Sequence, residues 1–310
     1  LTVPSLDCLI LCAGKGERLR PLTDLCPKPL LPICGMTMAD HALAACESLG
    51  PVRKSANAHH LTEQILAWAE ARSLDHVQLE PVLLDTGAAL ARMVAEGEIQ
   101  AEHIVVHNGD ILHDIDLVPA WKSHVESGAL ATLVVVDLPR VNTVVESEGD
   151  FRGVLGHPRG PASLPDGFRR WTFSGIAFYR TKALGGDPDH PWSVKELWHD
   201  MLEQGKKIRI WQAPQDARWD DLGTPDDLGR AVQAEIARRG MDRWIDAGAD
   251  VDMDAYVGPG SSVEFGGRLE AGSRIENSVV FPGGEALAGQ ILINTLRNPG
   301  GDLSWKPVLE

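Results

Sequence analysis

The residues with the most chemistry in them come first. Gly14, Lys15, Gly16, Arg18, Arg20 and Lys28 all follow one apolar run at residues 6–12. Glycines lack a Cβ, so the backbone there curls and its N–H groups approach an anion. Between residues 14 and 28 four basic side chains face only Glu17 and Asp24, although the whole chain carries −15. An apolar strand, a glycine loop and clustered cations form a cradle for a polyphosphate. Two common versions of that cradle fail on spacing. A dinucleotide fingerprint needs a small residue where Leu19 stands, and a P-loop needs Gly-Lys-Ser/Thr.

A carboxylate comes next in the chain. Asn108-Gly109-Asp110 ends the apolar residues 104–107, and open α/β sheets bind ligands at that edge of a strand. An acid there suits Mg²⁺, a hard cation that prefers oxygen and bridges to phosphates. The same three residues also fit a plain Asn-Gly turn, and His107, Asp110 and His113 together fit a metallohydrolase. Asp221, in Trp219-Asp220-Asp221-Leu222-Gly223-Thr224, reads locally as part of a helix cap. His59 and His60 fit helix capping and packing.

The elements that must position these residues alternate. Strands are expected near 6–12, 52–57, 77–80, 104–107, 130–136, 171–179 and 208–211. Helices are expected over 36–49, from 61, over 87–94, near 117–126 and over 194–204 and 225–238, the last opening with Thr224 and Pro225. This pitch predicts an α/β fold, a Rossmann-like and mostly parallel sheet with helices on both faces. Residues 140–170 read as a short hairpin and a loop facing the substrate.

After Gly240 the period changes. Val251, Val257, Val263, Leu269, Ile275, Phe281, Leu287 and Ile293 recur every six residues. That is a hexapeptide repeat, and it predicts a parallel β-helix two to three coils long with these side chains inward. The expected domains are 1–240 and a tail at 247–310. With no His or Lys between 247 and 295, the tail is expected to support assembly rather than chemistry.

Taken whole, Leu9-Ile10-Leu11-Cys12-Ala13-Gly14-Lys15-Gly16-Glu17-Arg18-Leu19-Arg20-Pro21-Leu22-Thr23 with Pro27-Lys28-Pro29 closely resembles the N-terminal motif of the sugar-1-phosphate nucleotidyltransferases. Cys12 departs from it, since Ala is usual there. Trp219 to Thr224 matches the family's Trp-x-Asp-x-Gly-Thr. Asn57-Ala58-His59-His60-Leu61 resembles its mannose-1-phosphate guanylyltransferase and N-acetylmuramate-1-phosphate uridylyltransferase branches.

The resemblance implies a catalytic Arg18 and Lys28, and Mg²⁺ (or Mn²⁺) on Asp110 and Asp221. It implies nucleotide binding by Ala13, Gly14, Gly16, Glu80, Thr86 and Gly87, where Gly87 lets the base approach the backbone. Asn108, Ser174 and Gly175 of Thr172-Phe173-Ser174-Gly175-Ile176 would contact the sugar. The tail would be the left-handed β-helix that many members carry. Several branches hold the sugar phosphate with a Glu-Lys-Pro lysine, which this chain lacks; Arg169 or Arg170 is the substitute to consider.

The implied reaction joins an NTP and a sugar 1-phosphate, with GTP and mannose 1-phosphate, or a related sugar phosphate, preferred. A UTP-using N-acetylmuramate or hexose-1-phosphate uridylyltransferase is the alternative, as is a non-catalytic nucleotide-sugar-binding relative. An acyltransferase centred on the repeat would need a catalytic His that the tail lacks. The acidic balance argues against nucleic acid and anionic membranes. No apolar run has the length of a membrane span, and no signal peptide is expected. Five cysteines without Cys-x-x-Cys spacing read as free thiols in a reducing cytoplasm. A homo-oligomer formed through the tail is the expected assembly.

Overall fold

A computed structural model describes residues 4–307. Nine strands form the main sheet: β1 Leu6–Leu11, β2 Arg53–Ala58, β3 His76–Leu79, β4 His103–Asn108, β5 Ala131–Val136, β6 Val144–Ser147, β7 Asp150–Val154, β8 Arg169–Arg180 and β9 Ile208–Gln212, in the order β3-β2-β1-β4-β8-β5-β9-β7-β6. The helices that matter are α1 Met38–Glu47, α2 Thr62–Ala71, α3 Asp85–Ala95, α4 Val118–Ser127, α5 Val194–Glu203 and α6 Pro225–Arg238.

Alternate residues of each strand point to opposite faces, and both faces are covered. Cys8 and Ile10 join α1, α2 and α4 in one core, while Leu9 and Val106 join α3 and α5 in the other. The sheet is less parallel than its alternating pattern predicts. β3, β2, β1 and β4 run parallel, but β8 is antiparallel to both β4 and β5. The cause is local. No crossover helix separates β5 from β8, and β6 and β7 fill the gap as the expected antiparallel hairpin.

Beyond α6 the chain winds through short strands in three small sheets. Trp244–Ile245, Ser262–Val263 and Val279–Val280 stack in parallel, as do Asp250–Val251, Arg268–Leu269 and Glu285–Ala286, and Tyr256–Val257, Arg274–Glu276 and Ile291–Ile293. The first turn brings Trp244 opposite Ser262, a step of 18 residues, but the next brings Ser262 opposite Val279, a step of 17. One residue is missing between Ile275 and Val280, and a one-residue slip turns every later side chain to the other face. The interior is therefore Val257, Val263, Leu269, Ile275, Val280, Ala286 and Leu292. Of the positions expected inside, Leu287 and Ile293 are each 55% exposed, and Phe281 faces the neighbouring core instead.

That neighbouring core joins the tail to the first motif. Leu19, Leu22, Leu31 and Ile33 pack with Leu228, Val232 and Ile236 of α6 and with Phe281, Leu296 and Trp305 of the tail. The residues that carry Arg18 and Lys28 therefore rest on the coil.

Candidate active site

Where β1, β2 and β4 end, the chain leaves an open cavity of about 750 Å³ lined by Leu11, Ala13, Gly14, Gly16, Arg18, Lys28, Asn57, Glu80, Thr86, Asn108 and Asp110, among others. The glycine loop forms one wall. Gly16 has φ +63°, and a Cβ there would come within 2.9 Å of the Thr23 methyl, so only glycine fits. Thr23 fixes the curl by donating its hydroxyl to the Gly16 carbonyl at 2.9 Å, and the His60 Nε2–H donates to the Thr23 carbonyl at 2.7 Å. The two histidines thus brace loops. His59 Nδ1–H binds the Glu80 carbonyl at 2.8 Å in the same way.

Asn57, to which the sequence assigns no role, ties the glycine loop to Glu80. Its Oδ1 accepts the Cys12 and Ala13 N–H groups at 2.6 and 3.3 Å, and its amide donates to Glu80 at 2.7 Å. Glu80 also accepts the Leu84 N–H at 3.0 Å. Burial raises its pKa above the usual carboxylate range, against these hydrogen bonds. It lines the cavity, but both its oxygens already tie the two loops together. The available signal was a polar residue at the carboxyl end of a parallel strand, next to the first motif.

Opposite the loop, the Lys28 ammonium lies 2.7 Å from Asp110 Oδ2 and 4.0 Å from Asp221 Oδ1. Asp221 belongs to a small ribbon, Trp219–Asp221, that pairs with Ile111–His113 and so lies beside Asp110. Burial raises the pKa of Asp221 and the neighbouring Asp110 charge raises it further, while Lys28 opposes both. Arg18 lines the same cavity, its guanidinium lying over Gly223, where a Cβ would come within 2.6 Å of it. The pairing of these acids over 111 residues of sequence is therefore present in the fold, with Lys28 between them.

Three expected contact residues lie elsewhere. Gly87 is covered by Trp192: a Cβ there would come within 2.2 Å of the ring, and the Gly87 N–H donates to the Trp192 carbonyl. That backbone faces Trp192 rather than the cavity, which Leu83, Asp85, Thr86 and Pro191 line nearby. Ser174 and Gly175 sit at an irregularity in β8 that turns the Ser174 hydroxyl onto the Val134 carbonyl at 2.8 Å. Gly175 packs on the Asn108 side chain, so of this trio only Asn108 reaches the cavity.

The metallohydrolase arrangement also fails on geometry. His113 Nδ1 accepts the Ile115 N–H, which leaves its Nε2–H to donate to His107 Nε2 at 2.8 Å. The His107 Nδ1–H then donates to the Asn108 carbonyl at 2.7 Å. Both rings are used by each other and by the backbone, and burial lowers their pKa values to about 3 and about 4. Among the described residues no group of three or more His, Cys, Asp or Glu is placed to hold a metal.

Comparison with known proteins places the chain beside nucleotidyltransferases. The nucleotidyl transferase family model matches residues 7–155, from β1 through the hairpin. A mannose-1-phosphate guanylyltransferase from Mycobacterium tuberculosis is 27% identical over 93% of the chain and 83% of its own length. A UTP–glucose-1-phosphate uridylyltransferase from Synechocystis is 26% identical over 93% of the chain and 80% of its own length. A crystal structure described as a putative glucose-1-phosphate thymidylyltransferase from Bacillus anthracis shares the fold at a TM-score of 0.61 with 18% identity, covering 74% of this chain and 95% of that one. No helix among the described residues is long and apolar enough to cross a membrane. Residues 7–155 thus match a nucleotidyl transferase domain, and along its length the chain is similar to sugar-1-phosphate nucleotidyltransferases.

Proposed function

We propose that the protein makes an NDP-sugar and pyrophosphate from an NTP and a sugar 1-phosphate by in-line attack on the α-phosphorus. One observation carries the reading: Lys28 seated between Asp110 and Asp221 across the cavity from the glycine loop. A phosphate oxygen is already anionic at neutral pH and needs no general base, so the protein's task is alignment and charge neutralisation. Ala13, Gly14 and Gly16 cradle the triphosphate. Arg18 stabilises charge that grows on the transferring and leaving phosphates. Lys28 holds the α-phosphate and the sugar phosphate together against their repulsion. Thr86 borders the base and Asn108 the sugar, whereas Glu80 acts through Asn57.

Two carboxylates with no third protein ligand suit a hard divalent cation whose remaining positions go to phosphate and water. Asp110 and Asp221 would hold Mg²⁺ or Mn²⁺, which would neutralise phosphate charge. In this reading residues 1–240 are catalytic, and 247–310 form a short left-handed parallel β-helix through which copies of the chain meet. The parallel steps of 17 and 18 residues support the β-helix.

The substrate pair in this reading is GTP with mannose 1-phosphate, or a related hexose or heptose phosphate, because the guanylyltransferase relative aligns over catalytic part and tail alike. The second reading, UTP, has equal alignment behind it in the Synechocystis relative. Pyrophosphate release from four NTPs against several sugar 1-phosphates tests both. Highest kcat/KM for GTP with a mannose-type phosphate is expected. Calorimetry showing UTP bound at least tenfold tighter than GTP, about 1.4 kcal/mol, would reverse the choice, and no turnover with any pair would overturn the reaction.

A further inference from the structure

Lys28 stands on a one-turn helix, Lys28–Leu30, and the chain then folds back through a tight turn at Cys34 and Gly35, between the short strands Pro32–Ile33 and Met36–Thr37. Both turn residues have positive φ, +52° and +84°, and their N–H groups converge on one acceptor. That acceptor belongs to the tail. Glu264 follows the inward Val263, is fully buried, and accepts the Cys34 N–H at 3.0 Å on one oxygen and the Gly35 N–H at 2.8 Å on the other. The Ser262 hydroxyl also donates to it.

The far side of the turn is held as well. Arg239 donates to the Cys34 carbonyl at 2.8 Å and to Glu235 at 2.9 Å. Glu235 also binds Arg218 at 3.1 Å, one residue before the ribbon that carries Asp221. The segments bearing Lys28 and Asp221 are thus pinned to one frame, and the tail supplies its buried carboxylate. Nothing in a six-residue repeat calls for a glutamate buried beside its core, and a bare structural turn would be satisfied by water.

We propose that Glu264 is a positioning residue for Lys28. Through the Cys34–Gly35 turn it fixes where the Lys28 segment lies, and so how the ammonium meets Asp110, Asp221 and substrate phosphate. The proposal rests on Lys28 being a phosphate-binding residue, as read above.

Glu264→Gln in the full chain keeps the side chain's shape but turns one acceptor into a donor facing a backbone N–H. A double-mutant cycle with Lys28→Ala then asks whether the two act together. Pyrophosphate binding by calorimetry needs no turnover, so it reads the proposal even if the assigned reaction fails. Glu264→Gln should weaken pyrophosphate about fivefold in the parent chain and less than twofold in the Lys28→Ala background. Where turnover is measured, kcat should fall about tenfold while the NTP KM stays within twofold.

Leu269→Ala, inside the coil and away from the turn, should lower Tm while leaving both readouts within twofold. If Glu264→Gln does not fold, Ser262→Ala should show the same pattern at smaller size. Equal losses in both backgrounds, or a fall in Tm with binding and kcat unchanged, would overturn the proposal and leave Glu264 a brace for stability alone.

Discussion

Lys28 has the least freedom of the cations in the cavity, and that sets what substitution should do. It is 6% exposed and in contact with Asp110, so removing either acid leaves a buried ammonium under-compensated and, on the proposed assignment, also removes a metal ligand. Asp110→Asn and Asp221→Asn should each lower turnover on the order of a hundredfold or more. Pyrophosphate release with and without EDTA checks this, and near-parent rates in both variants, or full activity in EDTA, would remove the metal assignment. Arg18→Ala should lower kcat more than it raises KM, since its partner charge grows in the transition state; a change in KM alone would make it a ground-state nucleotide contact.

The convergence of the first motif, Asn108 and Asp110 on one cavity was legible in the sequence because each lies at a strand end, whereas the place of Asp221 beside them came only from the family resemblance, its own stretch reading as a helix cap. Gly87, Ser174 and Gly175 were misread for the opposite reason. A glycine in a string says that something approaches closely, and here the visitors are Trp192 and Asn108 rather than substrate.

Among the elements, the parallel half of the sheet was legible from its alternation, and the reversal of β8 was not, because pairing direction depends on connections rather than on a strand's own residues. The tail shows how a period misleads once one residue drops out. Up to Ile275 the spacing of six marks the interior, and after it the interior positions are Val280, Ala286 and Leu292. Burial in this slipped frame makes a direct test. Leu292→Asp should lower Tm by placing an unpaired charge in the coil, whereas Ile293→Asp, on an exposed position, should change it little. The reverse order, read by thermal denaturation, would restore the unbroken period.

A pH effect also belongs here, at the end of β4. His107 and His113 are held neutral with pKa values near 3 and 4, so the unfolded chain takes up protons before the folded one does. Their stability contribution is complete above pH 6.5 and is lost as pH falls toward 4 and then 3. By pH 5 the fully buried His107 alone should account for about 2 kcal/mol. Denaturant titrations at pH 7 and 5 should show the decline, and His107→Gln should flatten it; an equally steep decline in that variant would place its source elsewhere.

At the scale of the molecule, the tail is more than an appendage. Among the described residues it lines none of the site cavity, in keeping with the absence of His and Lys from residues 247–295, yet Phe281, Leu296 and Trp305 share a core with Leu19, Leu22, Leu31 and Ile33. Asn298 donates to the Leu22 carbonyl at 2.9 Å. A sequence pattern marks where one architecture gives way to another, but not which face of each is pressed against the other. A chain ending at Asp246 should melt at a lower temperature, as the sequence also predicts, and should lose most of the turnover that the sequence alone leaves measurable.

The central claim is that this cavity joins two phosphates, and product stoichiometry in a single reaction tests it most directly. With the NTP and sugar 1-phosphate pair that the panel selects and Mg²⁺ present, pyrophosphate and NDP-sugar should appear in equal amounts. Neither should form when the sugar phosphate is left out, and both should form on the order of a hundredfold or more slowly when Asp110 is replaced by Asn. Pyrophosphate released without the sugar phosphate, or a nucleotide sugar bound tightly with no turnover in either direction, would contradict the account.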